Sequence, residues 1–424
     1  MKTTAIALGV GLGLGVAYLA FGFWFGPIVT PDSLAYRSMA QALATLHYSP
    51  LRYLLDARNT ADGLGGMPGT SHTVLVQFYL TYIYVFAAAE AGFGPHWPQA
   101  LVVLNAVAYA ATGALVLLML GQAQAGTLAL WVAVAFLMSL FDFYQWVAMT
   151  QSDPLFILLS TAAVLLALWG CREGPTPTRT AAWSGTAVML AAAALCRPAW
   201  PPVALAVAAV AVGAWAYNAP TEGAARLRYT WICALGMVLV AVGLAAGIAL
   251  LWNPQMLPPG ALRDVATAYG AEVGSGAVVF QRPETYLRPN ASIAGYTRVV
   301  LARAGYFFWF LADGYSPAHR LMNVAAHVPL YLLAVVGAAT TLRGNSRFAA
   351  AAGFASIAWI VATALYHALT LLDFDWRYRA PTYPALIFLA AMGASRAWKS
   401  AISHLPAVVP RTVKAALRTP DAKA

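Results

Sequence analysis

Four short polar stretches interrupt an otherwise apolar chain, and their residue types suit one kind of chemistry. They are Pro31-Asp32-Ser33-Leu34-Ala35-Tyr36, Thr150-Gln151-Ser152-Asp153-Pro154, Cys196-Arg197-Pro198 and Asp373-Phe374-Asp375-Trp376-Arg377-Tyr378-Arg379. The early stretches offer carboxylates and the later ones add guanidinium groups. A carboxylate can take a proton from a hydroxyl, and arginine holds an anion in fixed geometry, so the combination suits an anionic ligand beside a general base. Any one stretch reads equally well as an interfacial anchor. Four charged stretches at one face are harder to explain that way, because charge at the edge of hydrocarbon is costly unless paired, hydrated or functional.

The elements that must bring these stretches together are membrane helices. Hydrophobic residues make up 61% of the 424-residue chain and charged residues 9%, where a soluble domain carries about 25%. Lipid must cover most of such a surface, which leaves helices or a closed barrel. The apolar runs are continuous rather than alternating, so the expectation is an all-α polytopic protein with about 10–12 transmembrane helices. Candidate spans run over 5–25, 73–92, 98–121, 127–146, 154–169, 181–195, 203–217, 229–252, 322–342, 348–372 and 382–398. The pair flanking Arg197-Pro198 is short enough to form one helical hairpin. The first run is too long for a cleavable signal core, so it reads as a retained helix.

Two polar stretches, about 28–72 and 253–321, are too long for turns and read as loops with juxtamembrane helices. Within the second, Tyr296 to Leu311 reads as an interfacial amphipathic helix. Residues 1–399 form a single transmembrane catalytic domain in this reading, and 400–424 a basic cytoplasmic tail. The formal charge of +10 lies in short loops and this tail, which speaks for membrane orientation and against nucleic acid. Arg172, Arg179, Arg226, Arg228, Arg343 and Arg347 mark the cytoplasm, and the four polar stretches fall on the opposite face. With the first helix entering from the cytoplasm the count fails by one. Either one segment between Thr73 and Trp146 does not fully span, Thr73 to Gly92 being the first suspect, or the N-terminus lies outside, Lys2 being a weak anchor. Cys171, Cys196 and Cys233 lie in or beside apolar segments and fit neither a disulfide framework nor a metal knuckle.

The stretches carry a resemblance. Asp32-Ser33-x-x-Tyr36, followed by Met39-Ala40-Gln41-Ala42-Leu43, resembles the start of the first extracytoplasmic loop of the GT-C superfamily. Its members are membrane glycosyltransferases that use polyprenyl-phosphate-linked sugars, among them the protein O-mannosyltransferase and lipid A aminoarabinose transferase relatives. Ser152-Asp153-Pro154-Leu155-Phe156 is similar to that family's acidic turn and Ala194-Leu195-Cys196-Arg197-Pro198 to its later basic turn. Asp375-Trp376-Arg377-Tyr378, with Pro381 and Pro384, is similar to its late Arg-Tyr turn. A soluble domain like that appended in some relatives is not visible after the last span.

The resemblance implies transfer of a sugar from a polyprenyl phosphate to an acceptor hydroxyl of a lipid or cell-envelope glycan. It implies a multi-pass inner (plasma) membrane enzyme whose active site faces the periplasm or exterior. Asp32 would be the general base, and Arg377, Tyr378, Arg379 and Arg197 would hold the donor phosphate, whose developing charge needs cations. Tyr36 would belong to the substrate loop, Asp153 would orient the acceptor or pair with an arginine, and His319 is the histidine placed nearest the phosphate. No metal site and no cofactor beyond the lipid-linked donor are implied, a divalent metal being optional rather than obligatory in this branch. Asp373-Phe374-Asp375 reads as acids paired with neighbouring arginines rather than as a metal-nucleotide motif. Gly9, Gly11, Gly13 and Gly15, inside a membrane helix, read as close helix packing. The other histidines read as interfacial or packing residues. A transporter or lipid flippase is the competing class, although no internal repeat is visible.

Overall fold

The computed structural model describes residues 2–49, 79–172, 175–217, 231, 253–256, 293–311, 315–341, 346–370 and 376–403. These residues are helical: α1 (Lys2–Phe25), α2 (Pro31–Thr45), α3 (Leu80–Phe93), α4 (Trp97–Gln122), α5 (Thr127–Ser139) and α6 (Phe141–Ala148). Then come α7 (Asp153–Gly170), α8 (Thr176–Ala194), α9 (Pro201–Tyr217), α10 (Ile293–Tyr306), α11 (Pro317–Thr341) and α12 (Arg347–Thr370). A 3-10 helix, Trp376–Thr382, leads into α13 (Tyr383–Ser403). Among the described residues the β-type pairing is a single isolated bridge, Ile28 to Met149.

The chain is a polytopic helical membrane protein. Five described helices are long and apolar enough to cross a membrane, or six if the bent pair α5–α6 is one span. α1 shows why lipid must be its solvent: Leu8, Leu12 and Val16 are exposed on one side, while Ala7, Leu14 and Tyr18 are buried on the other. The buried side packs antiparallel on α4 through small residues. A Cβ on Gly11 would lie 3.1 Å from the Ala114 Cβ, and one on Gly15 3.4 Å from that of Ala110. Gly9 and Gly13 meet nothing. Only alternate members of the glycine series therefore serve packing, as a helical face requires.

The remaining contacts define two ends of the bundle. Ile28 pairs with Met149, and Cys196 Sγ lies 3.8 Å from the Ser152 carbonyl. At the other end Arg172 donates to Gln122 Oε1 at 2.8 Å, and Ser395 Oγ donates to the Ala125 carbonyl at 2.8 Å. α7 runs between these ends, from Asp153 to Gly170. α8 and α9 are two separate helices of 19 and 17 residues flanking the Arg197 turn.

Two expectations on span boundaries need correction. Thr73 to Gly92 contributes α3, a helix of 14 residues, which is about 21 Å long and short of the ~30 Å hydrocarbon. α3 also folds back on α4. The rings of Phe86 and Trp97 lie 4.6 Å apart, whereas a continuous helix would separate them by about 16 Å of rise. Gly94, with φ +52, makes the corner in the left-handed region that glycine adopts at low cost. The Thr81 amide is bonded to the Leu195 carbonyl at 2.8 Å, so the start of α3 sits at the Asp153 end. The described part of the suspected segment is thus too short to cross by itself, and residues 73–78 lie outside the described residues.

Thr127 to Trp146, expected as one span, is instead broken at Leu140, with α5 and α6 inclined by 49°. Its partners explain the break. Tyr18 donates to the Leu137 carbonyl at 2.7 Å, satisfying a helix-end acceptor, and Asp142 turns into the core toward Arg379. The helix expected over Tyr296 to Leu311 is found as α10, which starts earlier, at Ile293, and ends at Tyr306, and Phe307 to Leu311 leave it as a non-helical segment.

Helices α11 and α13 approach each other closely at Gly337 and Gly393. A Cβ on Gly337 would overlap the Leu389 carbonyl, and one on Gly393 the Leu333 carbonyl. Backbone this close has no room for a side chain. Gly393→Leu is expected to destabilise the protein at the top of the about 1–3 kcal/mol range of overpacked sites, read as a lowered melting temperature in detergent. Gly9→Ala, into open space, should leave that temperature unchanged.

Candidate active site

The first polar stretch is built as a clamped helix start. Thr30 caps α2: its side chain accepts from the Ser33 amide at 3.2 Å, and Ser33 Oγ accepts from the Thr30 amide at 3.1 Å. This capping box satisfies amides that the first helical turn leaves open. Ser33 Oγ also donates to the Thr150 carbonyl at 2.9 Å, and Gln151 Nε2 donates to Thr30 Oγ1 at 3.1 Å. From below, Asn105 Nδ2 donates to the Met149 carbonyl at 2.6 Å. The Pro31–Tyr36 and Thr150–Asp153 stretches are thus one hydrogen-bonded unit.

Asp32 sits in the first turn of α2, partly exposed, where the helix dipole favours a negative charge. One turn on, Tyr36 is buried, its ring 5.2 Å from that of Tyr79 and 5.1 Å from that of Tyr82. Burial, reinforced by Tyr79, holds the Tyr36 phenol well above its ordinary pKa, against the nearby Arg197 charge. It is therefore a neutral hydroxyl. Tyr79 lies within electrostatic reach of Arg197, Asp153, Asp32 and Tyr378, one residue from each polar stretch.

Asp153 opens α7 and forms an ion pair with Arg197, both side chains less than a tenth exposed. The Arg197 turn is fixed on each side. Its amide is bonded to the Ala193 carbonyl at 3.1 Å, and the Tyr366 hydroxyl donates to the Pro198 carbonyl at 2.8 Å. A buried ion pair is weak evidence for stability, because desolvating two charges offsets most of their attraction. A prepositioned guanidinium is what it does supply. Beside it, burial pushes the Cys196 thiol up, so this cysteine is an inert apolar group rather than a nucleophile.

Tyr378 and Arg379 are neighbours in the 3-10 helix but face different surroundings. Tyr378 stacks on His367, centroids 4.9 Å apart, and the opposite side of His367 faces Phe307 at 6.0 Å. His367 is 7% exposed, and among the described residues neither ring nitrogen has a hydrogen-bond partner. Arg379, 1% exposed, donates to Tyr383 Oη at 2.9 Å and to the Trp309 carbonyl, and lies 3.4 Å from Asp142 Oδ2. Tyr383 donates to the same carboxylate, and His327 joins Tyr383 Oη at 3.0 Å and the Asn323 carbonyl at 3.0 Å. This second cluster is walled by Phe310, stacked on His327 with centroids 5.2 Å apart.

His319 stacks on Tyr315 at 3.9 Å and faces Phe141 at 5.0 Å, so it stands by the Asp142 cluster rather than beside Arg197. Arg377 lies in the 3-10 helix with its side chain outside the described ones, and Asp373 and Asp375 lie outside the described residues. Among the described residues no three His, Cys, Asp or Glu side chains come together.

Asp142, Tyr383, His327 and His367 were not among the expected site residues. The signal for three of them was present: an ionisable side chain inside an apolar helix is a functional candidate by its cost alone. Nothing in the sequence pairs Asp142 with Arg379.

No protein-family model matches the chain, and no curated protein matches it. Among solved structures, the crystal structure of ArnT from Cupriavidus metallidurans in the apo state is similar over 97% of this chain and 67% of that one, with 13% sequence identity and a TM-score of 0.45.

Proposed function

We propose that this protein is a GT-C-type membrane glycosyltransferase that moves a sugar from a polyprenyl phosphate to an acceptor hydroxyl of a lipid or cell-envelope glycan. The observation that carries the reading is the buried Asp153–Arg197 ion pair at the end of the helical bundle where the start of α2, which holds Asp32, is hydrogen-bonded to Thr150. Asp32 takes the acceptor proton as the hydroxyl oxygen bonds to the anomeric carbon. The bond from that carbon to the phosphate oxygen breaks, and its electron pair stays on the phosphate. Arg197, oriented by Asp153, stabilises the charge that develops there, with Arg377 as a further cation. The neutral Tyr36 hydroxyl donates to a sugar or phosphate oxygen. One base and one displacement give inversion at the anomeric carbon.

Arg172, Arg179 and Arg347 sit at the opposite end, so by the bias of basic residues toward the cytoplasm the site faces the exterior of the plasma membrane. Purified protein offered a panel of radiolabelled polyprenyl-phosphate sugars is expected to release sugar from at least one of them. Binding and release of none across the panel would overturn the reading.

One observation favours a transporter: the helix broken by 49° that carries a buried carboxylate, Asp142, resembles the interrupted helices of carriers. Reconstituted vesicles that move a lipid or solute without cleaving a sugar phosphate would support it.

A further inference from the structure

The end of the bundle away from Asp153 holds a cavity of about 260 Å³ between α7, α9 and α12, lined by Leu168, Cys171, Arg172, Ala214, Arg347, Phe348 and Ala351. It lies one helix length from the proposed active site, about 27 Å along α7, and the sugar-transfer reading makes no use of it. Its chemistry is divided. Leu168, Ala214, Phe348 and Ala351 make an apolar wall continuous with the membrane helices, and the two arginines bring positive charge to its mouth.

Three further features make this end electropositive. Arg179 Nε donates to the Gly170 carbonyl at 3.3 Å, offsetting the negative C-terminal end of α7. α12 begins at Arg347, its first turn capped by Ser346 Oγ accepting from the Ala349 amide at 3.0 Å. The positive end of a 24-residue helix therefore lines the same cavity through Arg347, Phe348 and Ala351. Arg172 is held in place by Gln122 Oε1 at 2.8 Å.

We infer that this cavity is a binding site for an anionic phospholipid, its phosphodiester between Arg172, Arg347 and the start of α12, its glycerol and upper acyl carbons on the apolar wall. Basic pockets between membrane helices on the cytoplasmic side recognise such headgroups, and the apolar wall selects a lipid over a free anion.

The test uses detergent-purified full-length protein with three probes: phosphatidylglycerol, phosphatidylcholine and inorganic phosphate. Native mass spectrometry is expected to show retention of phosphatidylglycerol in preference to phosphatidylcholine. Arg172→Gln/Arg347→Gln should weaken that retention about 30-fold, the effect of two surface-level arginines. Cys171, half-buried in the wall, supplies a readout that needs no variant: phosphatidylglycerol should slow alkylation of the Cys171 peptide in wild-type protein. Equal retention of both lipids with no protection of Cys171 would overturn the inference. So would protection by inorganic phosphate alone, which would mean a free-anion site.

Discussion

Asp32→Asn is expected to lower sugar transfer by about 10²–10⁴-fold, the range that positioned general bases contribute, while binding of the polyprenyl-phosphate donor changes little. The asparagine keeps the size of the side chain and its place in the first turn of α2, and removes only the ability to accept a proton. Thr30 and Ser33, which fix that turn through the capping box and the bond to Thr150, are untouched. Loss of turnover with retained donor binding is therefore the mark of the missing base. The measurement is single-turnover sugar release beside equilibrium binding of donor, wild type against variant. Loss of donor binding in step with turnover would assign Asp32 to recognition instead, and unchanged turnover would remove it from the chemistry.

The motifs that make this experiment worth doing were readable because each occupies a few consecutive residues at the end of an apolar run. Asp32, Asp153, Arg197 and Tyr378 stand where a helix must leave the hydrocarbon, and helix order alone brings them to one face. The parity of the spans pointed to α3 for a similar reason: the basic loops set an expectation for the side of each end, and 14 helical residues are too few to cross alone. The break at Leu140 was not readable. The local sequence from Thr127 to Trp146 is apolar but for Thr127, Ser139, Asp142 and Gln145, and helix propensity favours continuing it. What interrupts it is a tertiary demand, since a buried carboxylate needs its cation, and that cation, Arg379, comes from the far end of the chain. His367 was readable only as an apolar-helix histidine. Its place between Phe307 and Tyr378 depends on α10 and the 3-10 helix meeting at the end of α12.

Arg379 is the residue on which sequence and structure lean toward different roles, and one double-substitution series decides between them. The resemblance makes it a ligand of the donor phosphate. The geometry makes it the cation of a buried cluster, shared among Asp142, Tyr383 and the Trp309 carbonyl. Asp142→Ala leaves a guanidinium that is 1% exposed without its counter-charge, so a loss of about 3–5 kcal/mol is expected, seen as a collapse of yield or melting temperature. Asp142→Leu combined with Arg379→Met removes both charges together with their desolvation cost, and most of that stability should return. Donor affinity in this rescued protein then carries the answer. Recovery of the melting temperature with an unchanged KM for donor means that Arg379 only holds the Phe307–Leu311 segment against α11 and α13, leaving Arg197 to meet the phosphate. Recovery with a KM raised about tenfold or more, the scale of one lost charge-assisted contact, means that the guanidinium reaches the donor as well. A double variant no more stable than Asp142→Ala would sink the ion-pair account itself, because the cost would then lie in packing around Tyr383 and His327 rather than in an unpaired charge.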